Sequence, residues 1–314
     1  HDQGNDDTNT TTMTFWLAVA VAVAVVALIR YSRTDTYALG ILSLLDLLFS
    51  IKRRARRVQS KTPEWTMADT IEGSCRKYWD RCFVEMAGHR DQVQDKHTHR
   101  PAPDLGKQRM TFGEAEMASS AVAKWVTTTG LRCRPGDIVA IFMPSSCEFV
   151  AALFGLIRCG VRAALVNTGL RGNSLAHALT SALDDGRADT GASPAVVRAV
   201  LVSPDLRPAL ESLRGAGKLP ASVAIVECGP GRDLDPWTET TRFAYLRRRP
   251  HPRHKTSRWD DTCIYIYTSG TTGFPKASKM NHMRLWSGGC VGRKVCRLRS
   301  SDRLYCPLPL YHSS

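Results

Sequence analysis

No CxxC pair occurs among the ten cysteines of this 314-residue chain. That absence excludes the paired-thiolate zinc sites and thioredoxin-like redox motifs that such spacing builds. Several thiols, among them Cys147, Cys159 and Cys263, sit inside apolar runs, where a free thiol behaves as a small hydrophobe. No small-secreted-domain cysteine framework appears, so disulfides are not expected and a reducing, cytosol-facing location fits best. His97 and His99 fall in a polar stretch, and His89, His177, His251 and His254 show no spacing worth a metal claim, so no metal site is expected. Acidic residues are short, 29 against 43 basic, giving a formal charge of +14 and a pI near 9.6. That balance favours anionic partners. The basic runs lack stacking aromatics at a spacing suited to single strands, and no zinc-finger or helix-turn-helix pattern accompanies them. A solvated or lipid-facing basic face is therefore expected, not a nucleic-acid partner.

Long uncharged apolar runs are scarce as well. One spans Met13 to Ile29, at the short end of the roughly 17–25 residues that cross a bilayer. Acidic and polar residues precede it, unlike the basic flank of a signal peptide. It reads as a single N-terminal anchor over 13–30, behind a polar tail at 1–12. A second apolar stretch, Tyr37 to Ile51, carries Asp46 in its middle. A carboxylate at bilayer depth costs on the order of 2.5–3.5 kcal/mol. The segment 31–61 is thus expected to lie at the interface, with Lys52, Arg53, Arg54, Arg56 and Arg57 against anionic lipid headgroups. The same charges place the rest of the chain on the cytosolic side.

A globular part is expected from about residue 62. Thr111 and Glu114 form a capping-box pattern ahead of Ala115, Ala118, Val122, Trp125 and Val126 at helical spacing. Apolar strands are expected at Ile138–Met143, Val161–Val166, Ala199–Val202, Val223–Glu227 and Cys263–Tyr267. Ser145 and Glu148 suggest a second capping box opening a helix of about fourteen residues. Further helices are expected around Ser174–Ala182 and Asp205–Arg214. Alternating helices and apolar strands mark an α/β fold with a mostly parallel sheet covered on both faces. Ligands of such sheets gather at the carboxyl ends of the strands. Residues 228–259, rich in Pro, Arg and Thr, read as a surface loop or linker.

At that carboxyl edge the last strand breaks into Thr268, Ser269, Gly270, Thr271, Thr272, Gly273, Phe274, Pro275 and Lys276. Glycines let the backbone approach closely, and their N–H groups can form an anion-binding concavity. Four hydroxyls and the point charge of Lys276 complete a phosphate-gripping loop. It is not the Walker pattern, which needs a glycine before the lysine and Ser or Thr after it.

The string YTSGTTGFPK resembles the nucleotide-binding signature of the adenylate-forming enzymes. GDIVAIFMPSSCEFVAALFGLIRCGVRAALVNTGLRGNSLAHAL (136–179) and CPLPLYHSS (306–314) are similar to the fatty-acid transport protein, or very-long-chain acyl-CoA synthetase, family. The resemblance is good over about 110–180 and 260–314, faint over 61–109 and nearly absent over 185–258. It implies the N-terminal part of the adenylate-forming fold over 62–314, truncated at its C-terminus. The start at His1 and the family's greater length suggest a fragment.

The implied activity is ATP-dependent activation of long- or very-long-chain fatty acids to acyl-CoA through an acyl-adenylate, coupled to uptake. ATP, Mg2+ and coenzyme A are the implied co-substrates and cofactors. Nucleotide contact carries over to Thr268, Ser269, Gly270, Thr271, Thr272, Gly273 and Lys276, with Lys276 and Thr272 as the catalytic pair. Tyr311 and His312 match the position that shapes the fatty-acyl pocket; His282 has a family counterpart but no assigned role. One departure stands out: after Lys276 the family continues with apolar residues, whereas Ser278, Lys279 and Asn281 are polar, which weakens the strand expected there. The alternative is therefore a membrane-bound fatty-acid binding or transport protein that has lost ligation. The adenine-binding and C-terminal lysine positions have no counterpart, so this chain alone is expected to be inactive. The implied location is a single-pass protein of the endoplasmic reticulum or plasma membrane.

Overall fold

The computed structural model describes residues 65–86, 109–128, 130–181, 197–236, 257–269 and 274–312. The expected anchor at 13–30, the basic segment at 31–61 and the loop residues Gly270, Thr271, Thr272 and Gly273 lie outside them. Among the described residues, 65–286 and 300–312 belong to one compact unit and 287–299 to another. In chain order the helices are α1 (Met67–Lys77), α2 (Phe112–Thr127), α3 (Cys147–Arg158), α4 (Gly172–Ser181), α5 (Arg207–Gly215) and α6 (His282–Val295). The strands are β1 (Cys82–Glu85), β2 (Arg109–Thr111), β3 (Ile138–Phe142), β4 (Arg162–Leu165), β5 (Val197–Val202), β6 (Ala224–Glu227), β7 (Thr262–Ser269) and β8 (Pro275–Asn281).

Six strands form one sheet in the order β6-β5-β3-β4-β7-β8, and β1 pairs with β2 apart from it. All neighbours are parallel except β7 and β8. Because strand side chains alternate, each buried strand feeds two cores. Val139, Ile141, Leu165, Leu201 and Ile266 pack with α1, α2 and α3. Ile138, Phe142, Val200, Val202 and Tyr265 pack with α4 and α5 on the opposite face. Fully burying each large side chain contributes about 1.5–3 kcal/mol, which is why every residue of β3 is apolar and buried.

The helices begin where their caps dictate. Thr111 Oγ1 accepts from the Glu114 N–H at 3.1 Å, and the Thr111 N–H donates back to Glu114 Oε2 at 2.8 Å. The expected second box falls one residue later and is not reciprocal. Ser146 caps α3 by accepting from the Phe149 N–H at 3.0 Å, and α3 runs 12 residues, not fourteen. An N-cap at Ser146 places Phe149 at N3, so Glu148 cannot return the bond. Gly155 lets α3 lie directly on α2: a Cβ there would stand 2.7 Å from Val122 Cγ1.

Two expectations are corrected. The polar run after Lys276 does form a strand, β8, running antiparallel to β7 from Ile264↔Met280 to Ser269↔Pro275. As an edge strand it leaves one side unpaired, Ala277 and Met280 alone pack on the two cores, and Lys279 is exposed, so its charge carries no burial cost. Parts of the expected surface loop are core: Cys228, Leu234 and Trp259 are all buried, and Leu234 donates its N–H to the Glu227 carbonyl at 3.0 Å.

Between α2 and α3 lies a buried ion pair, Arg158 Nη2 to Glu116 Oε2 at 2.6 Å, each side chain only 2% exposed. Burial holds the Glu116 carboxyl above the usual carboxylate range, against the Arg158 charge that pulls it down. None of the ten cysteines is in a disulfide. Burial pushes Cys75, Cys133, Cys159 and Cys263 up to about 12, leaving them inert packing groups. Among the described residues no helix is long and apolar enough to cross a membrane.

Candidate functional site

The carboxyl ends of β3 and β4 lie side by side, yet the chain leaves them in opposite directions. After β3 it enters α3 on one face; after β4 it enters α4 on the other. Such a divergence opens a crevice at the carboxyl edge, the usual ligand position in open α/β sheets. Ser145 follows β3 and Thr168 follows β4. Both hold the segment 310–312: Ser145 Oγ accepts from the Leu310 N–H at 2.9 Å, and the hydroxyls of Thr168 and Tyr311 bond at 3.1 Å. Tyr311 is thereby buried at the crevice while His312 is exposed, their rings 4.9 Å apart. The two expected pocket residues are adjacent but face different surroundings.

One strand further along, β7 and β8 form a hairpin whose tip carries the glycine- and threonine-rich stretch. Thr268 stands directly opposite Lys276, and Thr268 Oγ1 donates to the Lys276 carbonyl at a long 3.5 Å. Directly opposed residues project to the same face, so both exposed side chains share one side of the hairpin. Ile264 and Ile266, of the same parity as Thr268, pack with the core that also contains Tyr311. Thr268, Lys276 and Tyr311 therefore belong to one face of the sheet. Ser269 ends β7 opposite Pro275. Pro275 lacks an N–H, which the first residue of an edge strand tolerates.

The other face anchors the hairpin. Tyr267 points into the α4–α5 core, and its hydroxyl donates to the Ala178 carbonyl at 2.5 Å. Burial raises its hydroxyl well above the ordinary tyrosine range. Among the described residues Tyr265 is the largest fully buried side chain, and Arg162 donates to its hydroxyl at 3.3 Å. His282, 2% exposed, serves the structure: its Nδ1 accepts the Met67 N–H at 3.2 Å, satisfying a donor of the first turn of α1. Burial lowers its pKa to about 4, so the ring is neutral and can accept. Among the described residues no group of three His, Cys, Asp or Glu is placed to hold a metal ion.

The residue types alone did not single out Ser145, which reads as a cap, or the Ala178 carbonyl, whose role no side chain announces. Thr168 left a faint signal, a hydroxyl between Asn167 and Gly169 directly after an apolar strand.

This arrangement has relatives. The AMP-binding enzyme family matches residues 90–314. Bovine long-chain fatty acid transport protein 1 is 36% identical over 211 residues, covering 65% of this chain and 30% of that protein. The medium/long-chain-fatty-acid–CoA ligase FadD6 of Mycobacterium tuberculosis is 33% identical over 217 residues, covering 67% and 31%. Among solved structures, a long-chain-fatty-acid–CoA ligase from Archaeoglobus fulgidus superposes with a TM-score of 0.57 at 16% identity, covering 80% of this chain and 43% of that one. That likeness concerns the fold. The chain belongs to the AMP-binding enzyme family and spans about a third of the length of these curated relatives, 30% and 31%.

Proposed function

We propose that this chain forms the nucleotide-gripping part of an ATP-dependent ligase that activates long- or very-long-chain fatty acids as acyl-adenylates and passes them to coenzyme A. The observation that carries the reading is the pairing of Thr268 and Lys276, both exposed, on the face of the sheet that also holds Tyr311 at the crevice. A carboxylate oxygen attacks the α-phosphorus of ATP and pyrophosphate leaves. The coenzyme A thiol then attacks the acyl carbonyl and AMP leaves. Neither step needs a covalent side chain; both need negative charge held and stabilised. Lys276 supplies an ammonium and Thr268 and Ser269 hydroxyls, with Gly270, Thr271, Thr272 and Gly273 completing the grip by the resemblance. Tyr311 and His312 would border the acyl chain. Magnesium would enter this reading as a counter-ion of the phosphates.

Activation at a membrane would follow from residues 13–30 as a single span and Lys52, Arg53, Arg54, Arg56 and Arg57 on anionic lipid, with the thioester trapping the imported acid. The names of the fatty acid transport relatives support that coupling. The test is calorimetric titration of ATP into the 314-residue chain and its Lys276→Ala variant, with ATP–pyrophosphate exchange on oleate alongside. Loss of a charged hydrogen bond of about 1.5–3 kcal/mol weakens ATP by about ten- to a hundredfold, and the chain alone shows no exchange. Equal affinity in the two proteins would refute the assignment of Lys276.

A further inference from the structure

Two consecutive residues of α4 bracket the glycine-rich stretch. Directly before Thr268, the Tyr267 hydroxyl donates to the Ala178 carbonyl at 2.5 Å. Directly after Gly273, the Phe274 ring leans on the His177 ring, centroids 5.0 Å apart and planes inclined at 42°. Phe274 is 42% exposed and otherwise one of the few large apolar side chains in solvent, so its ring is not placed by core burial. His177 is half-buried on the same helix turn whose Leu175, Ala178 and Leu179 are fixed in the α4–α5 core. The helix is thus rigid where it meets the hairpin, and it meets it at both ends of the stretch.

We propose that His177 is a positioning residue for the nucleotide grip. Its ring holds Phe274, so that α4 sets the separation of the two hairpin ends and the alignment of Lys276 with Thr268. This rests on the nucleotide reading given above. Thr268 and Lys276 flank the glycine-rich stretch at its two ends. Fixing its two ends on one helix lowers the ordering needed when a phosphate binds, which is preorganisation by a support outside the contact surface. The contact asks for a flat ring at position 177 and not for an imidazole proton.

The experiment compares wild type with His177→Ala, His177→Phe, Phe274→Ala and the double His177→Ala/Phe274→Ala chain, in two readouts. The first is tryptic cleavage after Lys276 without ligand, normalised to cleavage after Arg132, which lies exposed in the α2–β3 loop. The second is ATP affinity. Aromatic pairs of this kind predict a three- to tenfold faster relative cleavage and an equal weakening of ATP in each alanine chain (roughly, from). His177→Phe stays near wild type, and the double chain is no worse than either single. Unchanged cleavage in both alanine chains, or a His177→Phe chain as impaired as His177→Ala, overturns the proposal. Faster cleavage with no ATP binding in any chain, wild type included, would retain the support by α4 and sink the nucleotide reading instead.

Discussion

Acid should loosen this protein through His282. The ring is 2% exposed and accepts the Met67 N–H, so the folded state holds it neutral with a pKa of about 4, against 6.5 for the free side chain. Between those values the unfolded chain carries a proton that the folded chain refuses. Stability is therefore complete above about pH 6.5 and falls as pH drops toward 4, by about 1.4 kcal/mol per unit. The full loss is about 3 kcal/mol, a large part of a typical folding free energy of about 5–15 kcal/mol. Below pH 4 both states are protonated and the loss stops growing. Urea unfolding followed by tryptophan fluorescence suits the region, because Trp259 and Trp286 pack 5.6 Å apart and the Met283 N–H bonds the Trp259 carbonyl. His282→Asn keeps an acceptor and removes the titration. The difference between wild type and variant should grow by about 1.4 kcal/mol per unit from pH 6.5 downward. Parallel stability curves would refute the assignment.

Two further substitutions test the packing around the site. Arg158→Met leaves Glu116 buried without its partner and should cost about 3–5 kcal/mol, most of it recovered in the Arg158→Met/Glu116→Gln chain; a single-variant loss below about 1 kcal/mol in urea unfolding would contradict the pair's role. Thr168→Val and Tyr311→Phe each remove one hydroxyl of a single bond, so their double-mutant cycle should show a coupling of about 1 kcal/mol. A coupling of zero would mean that Tyr311 is held by packing alone.

The strands were legible because burial on both faces leaves a continuous apolar run, and β3, β4, β5 and β7 begin and end within a few residues of such runs. β8 was obscured for the converse reason. It lies at the edge, its burial pattern is mixed, and a polar sequence with one dry neighbour reads like a loop. Leu234 and Trp259 were obscured because isolated apolar residues among Pro and Arg carry no period, although each ends up buried. Of the candidate site, the glycine- and threonine-rich stretch stood out by composition, and the Tyr311 position only through the resemblance. The link between Thr168 and Tyr311 spans 143 residues, and nothing local in either segment encodes it. The same holds for His282, whose partner is a backbone N–H 215 residues away.

The topology also accounts for the composition of the grip. In a strand–loop–helix phosphate site, the helix N-terminus contributes a positive partial charge and several unpaired N–H groups. Here the chain after the glycine-rich stretch turns back as β8, antiparallel to β7, and no described helix begins at the tip. Sheets add almost no dipole. If a phosphate binds there as proposed, the field would come from the stretch itself and from its exit strand. On the proposed reading, four hydroxyls within Thr268–Thr272 and a lysine placed by β8 opposite Thr268 would supply it. Pro275 between them fits the same logic, since the first residue of an edge strand needs no donor. On this argument Lys276 carries more of the phosphate charge than a lysine backed by a helix dipole would. A Lys276→Arg chain, with its charge kept but spread over a wider fork, should retain more ATP affinity than Lys276→Ala yet less than wild type; equality with the alanine chain would mean that shape, not charge, is what position 276 provides.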